Sequence, residues 1–128
     1  MDFKKHQTKI WVAAIIVIVI GFIGWRIYEK NQPGPLDGFT QCLQDKGAVF
    51  YGAFWCSHCQ NQKKAFGNSA GKLPYVECSL PGGNGQTQEC NDKQIESYPT
   101  WIFGDGTRET GELSLARLAE KTGCTLPQ

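Results

Sequence analysis

Sixteen consecutive residues, Ile10 to Trp25, carry no charge, and ten of them are Ile, Val or Phe. Ten such side chains at roughly −0.4 kcal/mol each favour bilayer insertion by about 4 kcal/mol. The run is short of the ~20 residues that cross a hydrocarbon core, but Arg26 can snorkel while Ile27 and Tyr28 lengthen the span. Trp11, Trp25 and Tyr28 fall at the levels where interfacial aromatics belong. Lys4, Lys5 and Lys9 precede the span, and the positive-inside bias puts that end in the cytoplasm. A cleaved signal peptide needs a small-x-small site, and Gly24-Trp25-Arg26 is a poor one. A lipoprotein needs a cysteine just after the apolar run, whereas the first is Cys42. A core helix would show a polar face, and this segment is apolar all round. Residues 10–28 therefore read as an uncleaved signal anchor, with 1–9 cytoplasmic, 29–35 a linker and 36–128 outside the cytoplasm.

Charge and cysteine usage divide the chain at the same place. Residues 1–30 hold five Lys/Arg against two Asp/Glu, and residues 31–128 hold eight against ten. The net charge of +1 gives no basic face for nucleic acid. All six cysteines follow the apolar run, an even number that predicts disulfides and an oxidising compartment. A domain this small buries a modest core, and cross-links help it.

Asn31-Gln32-Pro33-Gly34-Pro35 reads as a stiff linker. Phe39, Cys42 and Leu43 predict a short amphipathic helix ending near Gly47. Ala48 to Trp55 is a nearly continuous apolar run, as in a central strand covered on both faces. A helix is expected from Ser57 to about Asn68, then a strand over Leu73 to Glu77 and a loop over Pro81 to Gly85. A short helix over Asn91 to Ile95 precedes a strand over Thr100 to Phe103. Asp105-Gly106 is a hairpin turn leading into Thr107 to Thr110. Leu115, Leu118 and Ala119 mark a last helix stopped by Gly123. The order gives an α/β sandwich with a hairpin at one edge.

Cys56-Ser57-His58-Cys59 stands where the first strand runs into its helix. Two intervening residues at a helix start let the sulfurs meet, with Cys56 at the exposed end. Unpaired N–H groups and the helix dipole favour a thiolate there, the attacking species in disulfide exchange. Cys59, one turn inward, is shielded and suited to resolve the mixed disulfide, and His58 can add positive charge. Stabilising the thiolate stabilises the reduced form, which makes the disulfide a better oxidant. A zinc ribbon would need a second close pair, but eleven residues separate Cys78 from Cys90. A c-type haem would need His directly after the second cysteine, where Gln60 stands. No metal and no cofactor beyond the disulfide are expected; an inert structural disulfide is the bland alternative.

The strand, the Trp55-Cys56-Ser57-His58-Cys59 turn, the helix and the later Tyr98-Pro99-Thr100 before a strand together resemble the thioredoxin superfamily, over about residues 36–124. The nearest likeness is to the thioredoxin-like domains fused to, or accompanying, bacterial vitamin K epoxide reductase homologues. The pieces that carry it are Phe50-Tyr51-Gly52-Ala53-Phe54-Trp55-Cys56, Gln62-Lys63-Lys64, Phe66-Gly67, Tyr75-Val76-Glu77-Cys78, Tyr98-Pro99-Thr100-Trp101 and Leu118-Ala119-Glu120. The resemblance implies a central mixed β-sheet flanked by helices. It also implies a cis Pro99 opposite the redox pair, with Tyr98 and Trp55 helping to hold an extended substrate. Many relatives carry an acid six residues before the first active cysteine to take the buried thiol's proton; here Phe50 stands there. Ser57 also replaces the Pro or Gly common after that cysteine.

With Cys56 and Cys59 as one pair, the other four cysteines allow three connectivities. The resemblance implies a structural Cys78–Cys90 pair around the glycine-rich loop, which leaves Cys42 for Cys124. Separate buried thiols at Cys42 and Cys124, or a relay through Cys78 or Cys90, are the alternatives. The resemblance further implies a thiol–disulfide oxidoreductase acting on secreted or membrane cysteine-containing proteins. A quinone-linked membrane protein like vitamin K epoxide reductase would reoxidise it. A tethered reductant of the cytochrome-maturation kind, and a non-catalytic binding or adaptor module, are the competing functions. A reduction potential of about −120 mV would mark an oxidant and about −270 mV a reductant.

Overall fold

The computed structural model describes residues 3–128; Met1 and Asp2, the outermost part of the expected cytoplasmic segment, lie outside the described residues. The chain divides after Gln32 into two units. The first is helix α1, Phe3–Lys30, within which His6–Lys30 is long and apolar enough to cross a membrane. The expected 10–28 span lies inside it, but Glu29 and Lys30 are still helical rather than linker. The far end of the expected linker belongs to the second unit. Gly34 is buried where any Cβ would strike Ser69, and the Leu36 N–H donates to Ser69 Oγ at 3.0 Å.

The second unit runs α2 (Asp37–Asp45), β1 (Val49–Gly52), α3 (Ser57–Lys64), a 3₁₀ turn (Gly67–Lys72) and β2 (Tyr75–Glu77). It continues through α4 (Gln88–Asp92), β3 (Thr100–Ile102), β4 (Arg108–Thr110) and α5 (Leu115–Thr122). The strands form one mixed sheet in the order β2-β1-β3-β4. β1 is parallel to β2 and antiparallel to β3, and β3 and β4 make the hairpin. This is the mixed sheet flanked by helices that the resemblance implied.

Alternation along β1 sends successive side chains to opposite faces. Phe50 joins the main core with Phe39, Leu43, Phe66, Trp101 and Leu118; Tyr51 joins a smaller cluster with Cys78, Cys90 and Ile95. Phe50 is opposite Trp101 in register, and their rings stack at 5.0 Å. The Tyr75 ring meets Phe50 edge-on at 5.1 Å from the other side.

Several boundaries differ from the sequence reading, those of β1, α3 and α4 most. β1 ends at Gly52 rather than Trp55, because the chain turns outward and leaves Phe54 and Trp55 half exposed. α3 stops at Lys64, and Gly67 at φ +53° starts the 3₁₀ turn in place of a helix to Asn68. α4 begins three residues earlier than expected, at Gln88, and ends before Gln94, which takes φ +53°. α5 is as its caps dictate: the Ser114 side chain accepts from the Arg117 N–H, and Gly123 closes the helix in the left-handed region.

Candidate active site

Cys56 caps α3. Its backbone is extended while its Sγ accepts the Cys59 N–H at 3.4 Å, one of the donors a helix start leaves unpaired. The same sulfur lies 3.7 Å from the Tyr98 carbonyl oxygen, to which its S–H donates. The Tyr98–Pro99 peptide is cis. Cys56 was expected to stand exposed, yet only 7% of it is. The turn before Pro99 is brought over the sulfur by strand β3, a contact between residues 42 apart in the chain.

Both Cys56 and Cys59 are free thiols here. Cys59 is 1% exposed and sits against Gly52, whose missing side chain makes room: a Cβ there would lie 2.9 Å from Cys59 Sγ. Burial is the main reason the Cys59 thiol is pushed up to about 12, helped by its hydrogen bond with Cys56; the Ala53 backbone and Lys63 oppose the shift.

His58 turns outward. Its Nδ1 is 2.6 Å from Glu112 Oε1, which also accepts from Asn61 Nδ2 at 3.3 Å. These two bonds, His58 first, hold the Glu112 carboxyl below its ordinary range. The positive charge expected of His58 thus has a carboxylate beside it. Glu112 lies 54 residues away, and no pattern in the sequence joins the two. What delivers it is Gln62, a buried amide on α3. Gln62 donates to the Leu113 carbonyl at 3.0 Å and accepts from the Leu113 N–H at 2.7 Å, fixing the segment that carries Glu112.

Trp55 and Tyr98 stand together, their rings edge to face at 5.9 Å. Trp55 Nε1 donates to Ser79 Oγ at 2.9 Å, and the Gln86 amide donates to the Tyr98 hydroxyl at 2.8 Å. The loop between Ser79 and Gln86 therefore backs both rings. Its ends are joined by a Cys78–Cys90 disulfide with Cα atoms 5.6 Å apart. A Cys42–Cys124 disulfide, Cα atoms 5.9 Å apart, ties α2 to the segment after α5. Neither pair is near a third ligand: among the described residues no group of three or more His, Cys, Asp or Glu side chains converges as a metal site.

A turn with two free cysteines between a strand and a helix, a cis proline against the first sulfur and the mixed sheet beneath decide the fold type. The second unit is a thioredoxin-like domain. No known protein-family signature matches the chain. Its relatives agree with the architecture. It is 50% identical over 90 residues to thiol-disulfide oxidoreductase LTO1 of Arabidopsis thaliana, covering 67% of this chain and 24% of that protein. It is 32% identical over 108 residues to the thioredoxin domain-containing protein 5 homolog of Drosophila melanogaster, covering 70% of this chain and 25% of that one. The chain thus spans about a quarter of the length of these curated relatives.

Proposed function

We propose that this chain is a membrane-anchored thiol–disulfide oxidoreductase whose redox pair, Cys56 and Cys59, works outside the cytoplasm. The observation that carries the reading is the paired placement of two free thiols. One caps a helix beside the Tyr98 carbonyl, and the other is buried one turn below. The relationship to a thiol-disulfide oxidoreductase supports the same chemistry.

A client thiolate attacks Cys56 Sγ in the Cys56–Cys59 disulfide, and Cys59 leaves as the thiolate and takes a proton. A second client thiolate then attacks the client sulfur of the mixed disulfide, forming the client's disulfide and releasing Cys56 as a thiolate at the helix start. Two electrons have moved from client to domain. Phe54 and Trp55, half exposed beside the sulfur, offer an apolar shelf to an extended peptide, with Tyr98 and Pro99 forming its edge. His58, held by Glu112, tunes the charge at the mouth of the site.

Helix α1 serves as the anchor, with Lys4, Lys5 and Lys9 on the cytoplasmic side. It confines the domain to the membrane surface and raises its effective concentration near membrane partners. A quinone-linked protein like vitamin K epoxide reductase is the partner that would draw the electrons off Cys56 and Cys59. Secreted or membrane proteins with reduced cysteines are the clients.

The test is a trap. In the full chain Cys59→Ala removes the resolving sulfur, so Cys56 adducts with clients and with the reoxidising partner should accumulate in membranes as reducible species. The Cys56→Ala, Cys59→Ala double variant should form none. Absence of adducts from the single variant overturns the reading.

A further inference from the structure

Cys59 has to lose a proton before it attacks and gain one when it leaves, yet it is almost fully buried. β1 offers it no acid: Phe50, on the same face as Gly52, is packed between Trp101, on which it stacks, and the edge-on ring of Tyr75. The polar groups around this corner come from its neighbours. α3 supplies Cys56 and Lys63, β2 supplies Tyr75 and Glu77, and the turn before β3 supplies Tyr98.

The Tyr75 ring edge and Cys59 Sγ both border the space left by Gly52, where a Cβ would lie 2.9 Å from Cys59 Sγ and from Tyr75 Cε2. The Tyr75 hydroxyl donates to Glu77 Oε2 at 2.7 Å. The other oxygen of Glu77 is fixed by two backbone donors, the Phe54 N–H at 3.1 Å and the Ser79 N–H at 2.9 Å. Lys63 Nζ stands 3.4 Å over the Tyr75 ring, so a cation borders the same corner. Burial and the Glu77 carboxylate push the Tyr75 phenol well above its ordinary value, so it remains a neutral donor.

We propose that Tyr75 and Glu77 form the proton relay of Cys59, the Tyr75 hydroxyl passing its own proton to the Glu77 carboxylate as it receives one from the thiol through a single intervening water. The inference rests on the oxidoreductase reading above. When Cys59 resolves a mixed disulfide, its S–H proton moves toward Tyr75 and the Tyr75 proton moves to Glu77. The resulting sulfur anion bonds to Cys56 Sγ, and the client sulfur leaves as a thiolate. When Cys59 is instead the leaving group, the same proton returns. The relay is therefore indifferent to the direction of electron flow. Lys63 favours the transient anion on Cys59.

The experiment follows the reduced full chain in detergent micelles reacting with dithiobis-nitrobenzoate, which reports each released thiolate by colour. The first phase is Cys56 attacking the reagent; the second is Cys59 attacking the mixed disulfide at Cys56. Tyr75→Phe and Glu77→Gln should leave the first phase unchanged and slow the second about 100-fold at neutral pH, the lower range for a positioned acid–base group. The deficit should shrink as pH rises and hydroxide takes over, and the double variant should be no slower than either single one. A second phase at the original rate, or a slowing independent of pH, overturns the relay and leaves Glu77 a loop brace. Should Glu77→Gln unfold, Tyr75→Phe decides alone, since it removes one oxygen from a retained ring. Failure of the first phase in the unsubstituted chain would instead sink the oxidoreductase reading.

Discussion

Three of the four disulfide-bonded cysteines are as buried as the two free ones, Cys42 alone being partly buried, and what separates the two sets is their partners. Cys78, Cys90 and Cys124 are 4% exposed or less, and so is Cys59; Cys56 reaches only 7%. Burial therefore does not separate a clamp from a free pair. Partners do. Cys42–Cys124 and Cys78–Cys90 join separate segments, 82 and 12 residues apart, and fix the domain covalently. The corner holding Cys56 and Cys59 is bounded by hydrogen bonds accepted by Gln62, Glu77, Ser79 and Tyr98. The proposed exchange asks such a site to keep its geometry as thiol and as disulfide, a task that noncovalent neighbours suit while the clamps hold the rest.

Breaking the longer clamp is the most severe challenge to that contrast. Replacing Cys42 and Cys124 together with Ala should cost about 4 kcal/mol of stability on the loop-closure account, measured by urea unfolding of the domain. The alkylation rate of Cys56 under folding conditions should stay unchanged. A large change in that rate would mean that clamp and site are not independent.

Gln62→Met probes the noncovalent side. It keeps the volume but leaves the Leu113 N–H and the Trp101 indole N–H without their acceptor. The expected loss is about 2 kcal/mol. Unlike loss of the clamp, it should also free the Glu112 segment from His58, seen as faster amide hydrogen exchange at Leu113. Exchange no faster there would show that the His58–Glu112 contact holds the segment unaided.

The mildest effect is alkaline and confined to one redox state. The folded Cys59 thiol ionises near 12 against an ordinary 9.0. An acid whose folded value is raised keeps its full contribution below the unfolded value and loses it as pH climbs toward the folded one. The reduced domain should therefore lose stability between about pH 9 and pH 12. The oxidised domain, whose Cys59 cannot titrate, should lose less. Tyr75 is raised in the same direction, but it is a phenol in both states, so the difference between them reports on the redox pair that contains Cys59. At about pH 10, one unit into that window, the melting temperatures should part by a few degrees, roughly what 1 kcal/mol is worth in a domain this size. Parallel curves would mean that the thiol is wetter than its packing indicates.

Much of the fold was legible because it rests on local pattern. The hairpin at Asp105-Gly106, the stop at Gly123 and the reactive turn are all written within a few residues of one another. The overshoot of β1 to Trp55 has a plain cause. Apolar residues promise burial, but Phe54 and Trp55 are spent on the surface beside the sulfur, and the Phe54 N–H pairs with a side chain rather than with a strand. α4 was misplaced because the Cys78–Cys90 link and the Gln94 turn, rather than apolar spacing, govern where that helix sits.

By itself the order of amino acids determined a long apolar helix, a mixed α/β domain and two sulfurs three residues apart at a helix start. Hydrophobic period, caps and turn residues act over a few positions and need no distant partner. Only the tertiary structure decided what surrounds those sulfurs. It put Tyr98 on Cys56, Glu112 on His58, and Tyr75 with Glu77 beside Cys59. Each of these contacts depends on sheet order and on the packing of α3 across it. Electrostatic surroundings fall off over a few ångströms in space, whereas the residues that create them are set tens of positions apart along the chain.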